Sequence, residues 1–340
     1  MSGPLPVARS IQALSEVDRR RFLDELRPLG EPFVIRGFAD QWPAVRAARE
    51  SDEALVAYLC RYAALEPVDM VVGRPEIEGR FSYTDDLQGL NFVRGRSPLR
   101  AFFERLLCDR NESRPYAMAM QSAVISTVLP GFELGNSADL APVPVAPRIW
   151  IGNALCVATH ADPSENIAVN VAGHRRFTLF PPEAMSDLYI GPIEFTPAGP
   201  LTSLVHVTRP DLGRFPRFAQ AMARAQQVDL APGDVLYIPF HWWHHVQSRD
   251  AINVLVNYWW ADSANIQLPS PLSTSLLAML AMRSLPPQQK RAFLAMIHHY
   301  VLDSTDPGSH IPAPARGILG APGPQEVAGF RRAMREALSD

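Results

Sequence analysis

Lysine is almost absent from this chain. Lysine and arginine together number 32, yet Lys290 is the only lysine. An anion site elsewhere in the chain has to do without the residue that many such sites use. Cysteine is scarce as well. Cys60, Cys108 and Cys156 are odd in number, widely spaced and match no zinc pattern, so they read as buried free thiols of a reducing compartment. No charge of one sign prevails: the net charge is -3, which gives no reason to expect a nucleic-acid partner. No run reaches the roughly 18 apolar residues of a membrane span. The opening MSGPLPVARSIQALSEVDRRR lacks an apolar signal core. A soluble, cytoplasmic protein without a membrane partner is the expectation. Internal repeats and low-complexity tracts are missing too.

What is present is a chain of 340 residues, 47% hydrophobic and 20% charged, able to bury a substantial core in one large domain or two ordinary ones. Residues 10–28 read as a capped amphipathic helix with Ile11, Leu14, Phe22, Leu23 and Leu26 as its apolar stripe. PFVIRGF (32–38) reads as a strand, and 54–65 and 99–108 as helices; 69–86 alternates like a hairpin or irregular sheet. From about 115 to 262 short strands are cut by Pro and Gly: YAMAMQSAVI, RIWIGNALCVATH, NIAVNVAGH, RFTLFPP, DVLYIPF and AINVLVNYWW. That rhythm indicates an antiparallel sandwich or barrel, interrupted by a long insertion at 183–227. After 270 the chain turns helical again.

The expected fold is therefore mostly β with flanking helices. A jelly-roll core at 115–262 lies between a helical or mixed region at 1–114 and C-terminal helices at 263–340. The C-terminal helices are rich in Leu, Met and Ala. Either they cover the barrel or they form the interface of a homodimer.

Chemistry concentrates in two stretches, THADPSENIAVNVAGHRRFTLFPP (159–182) and PGDVLYIPFHWWHHV (232–246). Residues two apart on a strand project to one face, so His160 and Asp162 can bind one ion together. The second stretch supplies the third ligand. His244 and His245 point to opposite faces of an extended segment, so only one of them joins. Two histidines and one carboxylate on one face of a metal leave positions open, the pattern of non-haem Fe(II) oxygenases.

The motifs H160-A-D162, N166, G-H-R-R-F-T-L-F-P-P, P-G-D-V-L-Y-I-P, W-W-H244-H-V and N257-Y-W-W, in that order, resemble the cupin-like (JmjC-related) family of Fe(II)/2-oxoglutarate oxygenases, most of all its asparaginyl-hydroxylase branch. The resemblance is strong over about 148–260. It implies a double-stranded β-helix core, Fe(II) as metal, 2-oxoglutarate as cosubstrate and hydroxylation of a C–H bond. It assigns the third ligand to His244, and it places Arg175 where those relatives use a lysine for the far carboxylate of 2-oxoglutarate. Asn166 and Asn257 match the family's polar contacts. Two other positions depart from it: Val157 stands at a cosubstrate-contacting threonine, and Ala119 lies near a tyrosine that Tyr116 or Gln121 would have to replace. Asn170, in phase with Asn166, is a candidate substrate contact. The four tryptophans 242, 243, 259 and 260 read as core or dimer packing. Residues 81–86 read as a substrate lip and His241 as a rim residue. Two rivals stand beside this reading: a cupin metalloprotein with chemistry independent of 2-oxoglutarate, and a non-catalytic scaffold. The substrate class, protein, peptide or small molecule, is left open.

Overall fold

The N-terminal stretch is extended where its apolar spacing predicts a helix. In the computed structural model, which describes residues 5–197, 199–262, 271–303, 306–320 and 323–337, β1 (Arg9–Ser10) and β2 (Gln12–Leu14) flank the buried Ile11. β2 runs parallel to β3 (Phe33–Ile35), and β1 runs parallel to a strand far along the chain at Gln226–Leu230. Ile11 N–H donates to Gln227 O at 3.0 Å. The backbone thus finds partners in two sheets, and tertiary pairing overrides helical spacing. Helix begins only at Arg19, after Asp18 accepts from Arg21 N–H at 2.7 Å. It changes through π and 3-10 turns and stops at Gly30, whose φ of 64° is costly for other residues.

The remaining strands are β4 (Val68–Gly73), β5 (Arg80–Phe81), β6 (Phe92–Ser97), β7 (Ala117–Val124), β8 (Arg148–Gly152), β9 (Cys156–Ala161), β10 (Glu165–Ala172), β11 (Arg175–Phe180), β12 (Gln226–Leu230), β13 (Val235–Ile238), β14 (Trp243–Ser248) and β15 (Asn253–Trp260). They form two sheets, β1-β12-β11-β14-β9-β5 and β2-β3-β13-β10-β15-β8-β7-β4-β6. From β8 to β15 the strands distribute as β12-β11-β14-β9 and β13-β10-β15-β8, the order of a jelly roll. The fold is mostly β with flanking helices, as expected. Residues 1–114 contribute β2, β3, β4 and β6 to the larger sheet. Residues 69–86 form no hairpin of their own, because β4 pairs with β6 and β7 while β5 pairs with β9.

Alternation along the strands sorts the core into layers. Between the sheets, Val34, Ala168, Leu236, Ile238 and Leu255 of the larger sheet meet Phe177, Leu179, Val228 and Leu230 of the smaller. The outer face of the larger sheet, with Ile167, Val169, Tyr237, Val254 and Val256, packs on Leu55 and Leu59 of the helix Asp52–Cys60 and on Phe102 and Phe103 of the helix Leu99–Asp109. The outer face of the smaller sheet presents Phe180 and Trp243 to the 183–227 insertion, which supplies Leu188, Val205 and Phe218. The insertion is also fastened by backbone: Thr202 bridges His160, and Ser203 N–H donates to Thr159 O at 2.8 Å.

The chain divides into two compact units, residues 1–261 and 262–340. The second holds the helices Pro271–Met282, Pro287–Ile297 and Pro324–Ala337. None of the described helices is long and apolar enough to cross a membrane. The expectation of buried thiols fails at Cys108, which is exposed near the end of its helix, and is only partly met at Cys60 and Cys156.

Candidate metal centre and its cavity

β9 and β14 are neighbours, and their register sets His160 directly opposite His244. The two rings lie 4.2 Å apart between centroids. Each is held by the backbone two residues earlier, His160 Nδ1 by Ala158 O at 2.9 Å and His244 Nδ1 by Trp242 O at 3.0 Å. A carbonyl only accepts, so the proton of each neutral ring sits on Nδ1 and the Nε2 lone pair is left free. Burial, reinforced by the neighbouring His160, lowers His244 from 6.5 to about 4, which keeps this ring a neutral donor at neutral pH.

Asp162 sits one residue beyond the end of β9, and the two-residue spacing still turns its carboxylate to the side of His160. Its oxygens lie 3.9 Å from His160 Nε2 and 3.6 Å from His244 Nε2. These distances are too long for hydrogen bonds, but ligand atoms held at ~2.1 Å from one ion lie up to ~4.2 Å apart. One atom from each of the three residues falls within 4.8 Å of the others, and no other such cluster of His, Cys, Asp or Glu occurs among the described residues. Asp162 Oδ2 is buried without a hydrogen-bond partner. An orphaned carboxylate oxygen facing two imidazole lone pairs fits a divalent cation, and this donor set suits a first-row metal such as iron.

The three residues open into a cavity between the sheets of about 70 Å³, several times the ~10–15 Å³ that one water needs. At its far wall is Arg175. This side chain is 4% exposed, and burial alone lowers it from 12.5 to about 9. Its Nε–H donates to Ser248 Oγ at 3.1 Å and an Nη1–H to Asn170 Oδ1 at 3.3 Å. Among the described residues no carboxylate pairs with it. Asn166 and Asn257 also line the cavity, with Asn257 Nδ2 donating to Asn166 Oδ1 at 2.7 Å and Asn257 Oδ1 unpartnered.

Other expected residues take different places. Val157, Ala119 and Gln121 line the cavity, whereas Tyr116 is exposed and not part of its wall. Asn170 supports Arg175 and does not itself line the cavity. Trp242, Trp243 and Trp260 are buried packing, but Trp259 faces the cavity beside Trp150 at 6.0 Å. His245 points away, its Nε2 3.0 Å from Cys156 Sγ, and burial lowers it to about 3. His241 has a φ of 60° in the turn before β14; its titration is lowered by burial and raised by Asp162. His174 and His206 bond to Asp250 and Thr208, and His298 and His299 lie beside Asp303. In the supposed lip, Phe81 and Tyr83 are buried, and Tyr83 Oη–H donates to Pro192 O at 2.9 Å. Sequence reasoning missed Ser248 and Trp150. Strand phase offered the only signal, since Ser248 is in phase with His244 and Trp150 lies opposite the inward Leu255.

Comparison with known proteins places these observations in a wider set. The family model described as "Cupin-like domain" matches residues 19–266. "HSPB1-associated protein 1" of Rattus norvegicus is 40% identical over 113 residues, 33% of this chain and 23% of that protein. "Lysine-specific demethylase JMJ31" of Arabidopsis thaliana is 33% identical over 131 residues, 38% of this chain and 23% of its own length. "Lysine-specific demethylase 8" of Danio rerio is 27% identical over 252 residues, 72% of this chain and 55% of its own. The matched segment thus spans less than a quarter of the first two relatives and about half of the third.

Proposed function

This chain belongs to the cupin-like, JmjC-related family, and from that premise we propose that it is an Fe(II)- and 2-oxoglutarate-dependent oxygenase that hydroxylates a C–H bond of a protein, peptide or small-molecule substrate. The observation that carries the reading is the sharing of one cavity by a His-Asp-His cluster and a buried arginine with which no carboxylate pairs among the described residues. His160, Asp162 and His244 would hold the metal through two Nε2 atoms and a carboxylate oxygen. When bound, Fe(II) with 2-oxoglutarate supplies the oxidising chemistry, in which dioxygen turns substrate C–H into C–OH while 2-oxoglutarate becomes succinate and carbon dioxide.

Every other task falls to this chain's own side chains. Arg175 presents a planar fork suited to a carboxylate, a geometry that an ammonium lacks. The Asn166–Asn257 pair keeps its mutual bond if both amides are turned over. In that orientation Asn257 Nδ2 would face the cavity as a donor for a cosubstrate oxygen. Val157, Phe177, Val246 and Leu255 give the same cavity apolar walls, which exclude water and strengthen these polar contacts.

The test is an anaerobic titration of the metal-free protein with Fe(II) and then 2-oxoglutarate, following the visible charge-transfer band of the chelate. The band is expected in the wild type, absent in Asp162→Ala and weakened in Arg175→Ala. Iron binding without a band at any 2-oxoglutarate concentration moves the protein to cupin chemistry independent of 2-oxoglutarate. Failure to bind iron at all leaves a non-catalytic scaffold.

In solution we propose a homodimer through the C-terminal helices. The helix Pro271–Met282, PLSTSLLAMLAM, carries no charged residue, yet Leu280 is 73% exposed, and in the following helical segment Leu294 and Leu302 are 59% and 68% exposed. An exposed helix without charge invites an apolar partner, and a second copy of the same unit offers one at equal concentration.

A further inference from the structure

A second hollow lies on the metal-bearing end of the barrel. Antiparallel pairing brings the ends of β9, β11 and β13 and the starts of β10 and β14 together there. The hollow has a volume of about 350 Å³, against about 70 Å³ for the metal cavity. Alternation along β10 divides the two, since Glu165 lines the hollow and the next residue, Asn166, lines the cavity. The floor of the hollow is neutral. Arg27 Nε–H and Nη2–H both donate to Glu165, at 3.0 and 2.7 Å, and Tyr237 Oη–H donates to Glu165 Oε2 at 2.8 Å.

Its walls carry charge of one sign. Glu31 and Glu183 are exposed on it, and among the described residues no cation pairs with either carboxylate. Glu31 accepts from the amide of Gln226 at 3.0 Å. Arg224 donates to the backbone O of Glu183 at 3.3 Å but gives its Nη2 to the carboxylate of Asp187. Phe240 stands on the same wall, 42% exposed, with its ring braced edge-on by His241 at 4.8 Å between centroids. His241 holds a φ of 60°, a conformation that a histidine keeps only where its surroundings impose it. Pro181, Pro182 and Pro239 stiffen the wall, which leaves little to be ordered when a ligand arrives.

We propose that this hollow is a docking groove for a basic segment of a polypeptide substrate, which sets an arginine or lysine against Glu31 and Glu183 and an apolar side chain on Phe240. The anchor is remote from the residue that reacts. Charge decides the class of partner. Two carboxylates without a cation repel the phosphates of nucleic acid and of anionic lipid. A small free cation gains too little, because an exposed ion pair contributes little by itself. A polypeptide adds the contact on Phe240 and others along its length. The loop 239–242 connects the groove to the centre: Trp242 lines the groove, and its carbonyl holds His244 Nδ1. A chain seated here therefore continues past His241 to the side of the metal. The proposal deepens the oxygenase reading and rests on it for the bound segment being a substrate; the groove itself does not.

The experiment is fluorescence polarisation of labelled short peptides with the full, metal-free chain. The probe is a degenerate library with one arginine and one leucine fixed two positions apart; control libraries carry citrulline or glutamate in place of the arginine. The arginine library should bind saturably and more weakly as salt is raised, and the controls should not bind. Glu31→Gln and Glu183→Gln should each weaken binding by up to about five-fold, and Phe240→Ala by about five-fold or more. All three should leave Fe(II) binding and the Fe(II)/2-oxoglutarate band unchanged. Glu31→Lys combined with Glu183→Lys should turn the preference to the glutamate library, a reversal that a merely structural pair would not give. The groove is overturned as a docking site if the three libraries bind alike, or if the preference for arginine survives that double variant. Displacement of the peptides by equimolar spermidine would make it a polyamine site, and self-association abolished by the double variant would give it to a second copy of the chain; either overturns the proposal. The two readings fail separately. Peptide binding without the Fe(II)/2-oxoglutarate band sinks the oxygenase and keeps the groove. The band without peptide binding does the reverse.

Discussion

His160 and His244 repeat one local geometry on adjacent strands. Each donates its Nδ1 proton to the carbonyl two residues earlier in the chain, Ala158 O and Trp242 O, and each thereby turns Nε2 toward Asp162. Backbone fixes both tautomers, so the orientation of the ligand atoms does not wait for an ion.

A preset geometry makes the centre sensitive to losing any one ligand. His160→Ala, Asp162→Ala and His244→Ala are each expected to weaken Fe(II) or Mn(II) binding by more than the ~10–100-fold typical of outer-shell changes. Calorimetric titration of the three variants checks this; a variant that binds metal like the wild type removes its residue from the centre.

Acid should destabilise the metal-free protein in a defined window. Burial lowers His244 from 6.5 to about 4 and His245 to about 3. Below 6.5 the unfolded chain takes up protons that these buried rings refuse, so stability is lost as pH falls from 6.5 toward 4. By pH 5 the loss is roughly 2 kcal/mol for each ring. Urea unfolding at pH 7 and pH 5 measures it, and His245→Phe should recover part of the difference. Equal stabilities at the two pH values would show that the rings are not held neutral.

Gly173→Ala is expected to cost roughly 2–4 kcal/mol. A left-handed backbone costs an ordinary residue ~1–2 kcal/mol, and the new methyl would collide with Asn253 Oδ1 and Ile252 O. Denaturant midpoints give the number. A loss below about 1 kcal/mol would mean that the loop relaxes freely.

The C-terminal helices should govern self-association. Leu280→Glu combined with Leu302→Glu is expected to turn a dimer into a monomer in analytical ultracentrifugation while leaving Fe(II) binding intact. A wild-type protein that sediments as a monomer at all concentrations disposes of the dimer.

Local patterns made the centre legible. A histidine and an aspartate two apart beside a strand, with a histidine after a tryptophan pair, needed only period-two phase to be placed on one face. The tryptophans were harder to read. Trp259 and Trp260 are adjacent and alike, yet one lines the cavity and the other packs outside, a difference that only the register with β10 decides. The error over residues 10–28 has the same origin. Ile11 has helical spacing to Leu14, but the sheet edges that capture them come from residues 33–35 and 226–230. Nothing local announces partners so far along the chain. Asn170 shares the phase of Asn166 but lies behind the cavity wall, because its side chain is turned by the bond to Gly173 O three residues on.

The backbone fastening of the insertion to β9 bears on which exchanges of sequence such a protein tolerates. Thr202 and Ser203 are stitched to the strand that carries His160, whereas residues 192–197 and 199–201 belong to an excursion closed at its base by Gly191 N–H donating to Thr202 O at 2.9 Å. The base behaves as chassis and the excursion as a replaceable attachment. Chimeras exchanging only residues of that excursion should keep their iron affinity, whereas exchanges that cut through Thr202–Ser203 should unsettle the metal centre. Diversification is therefore cheapest at the tip, and the seam marks where recombination stops being tolerated.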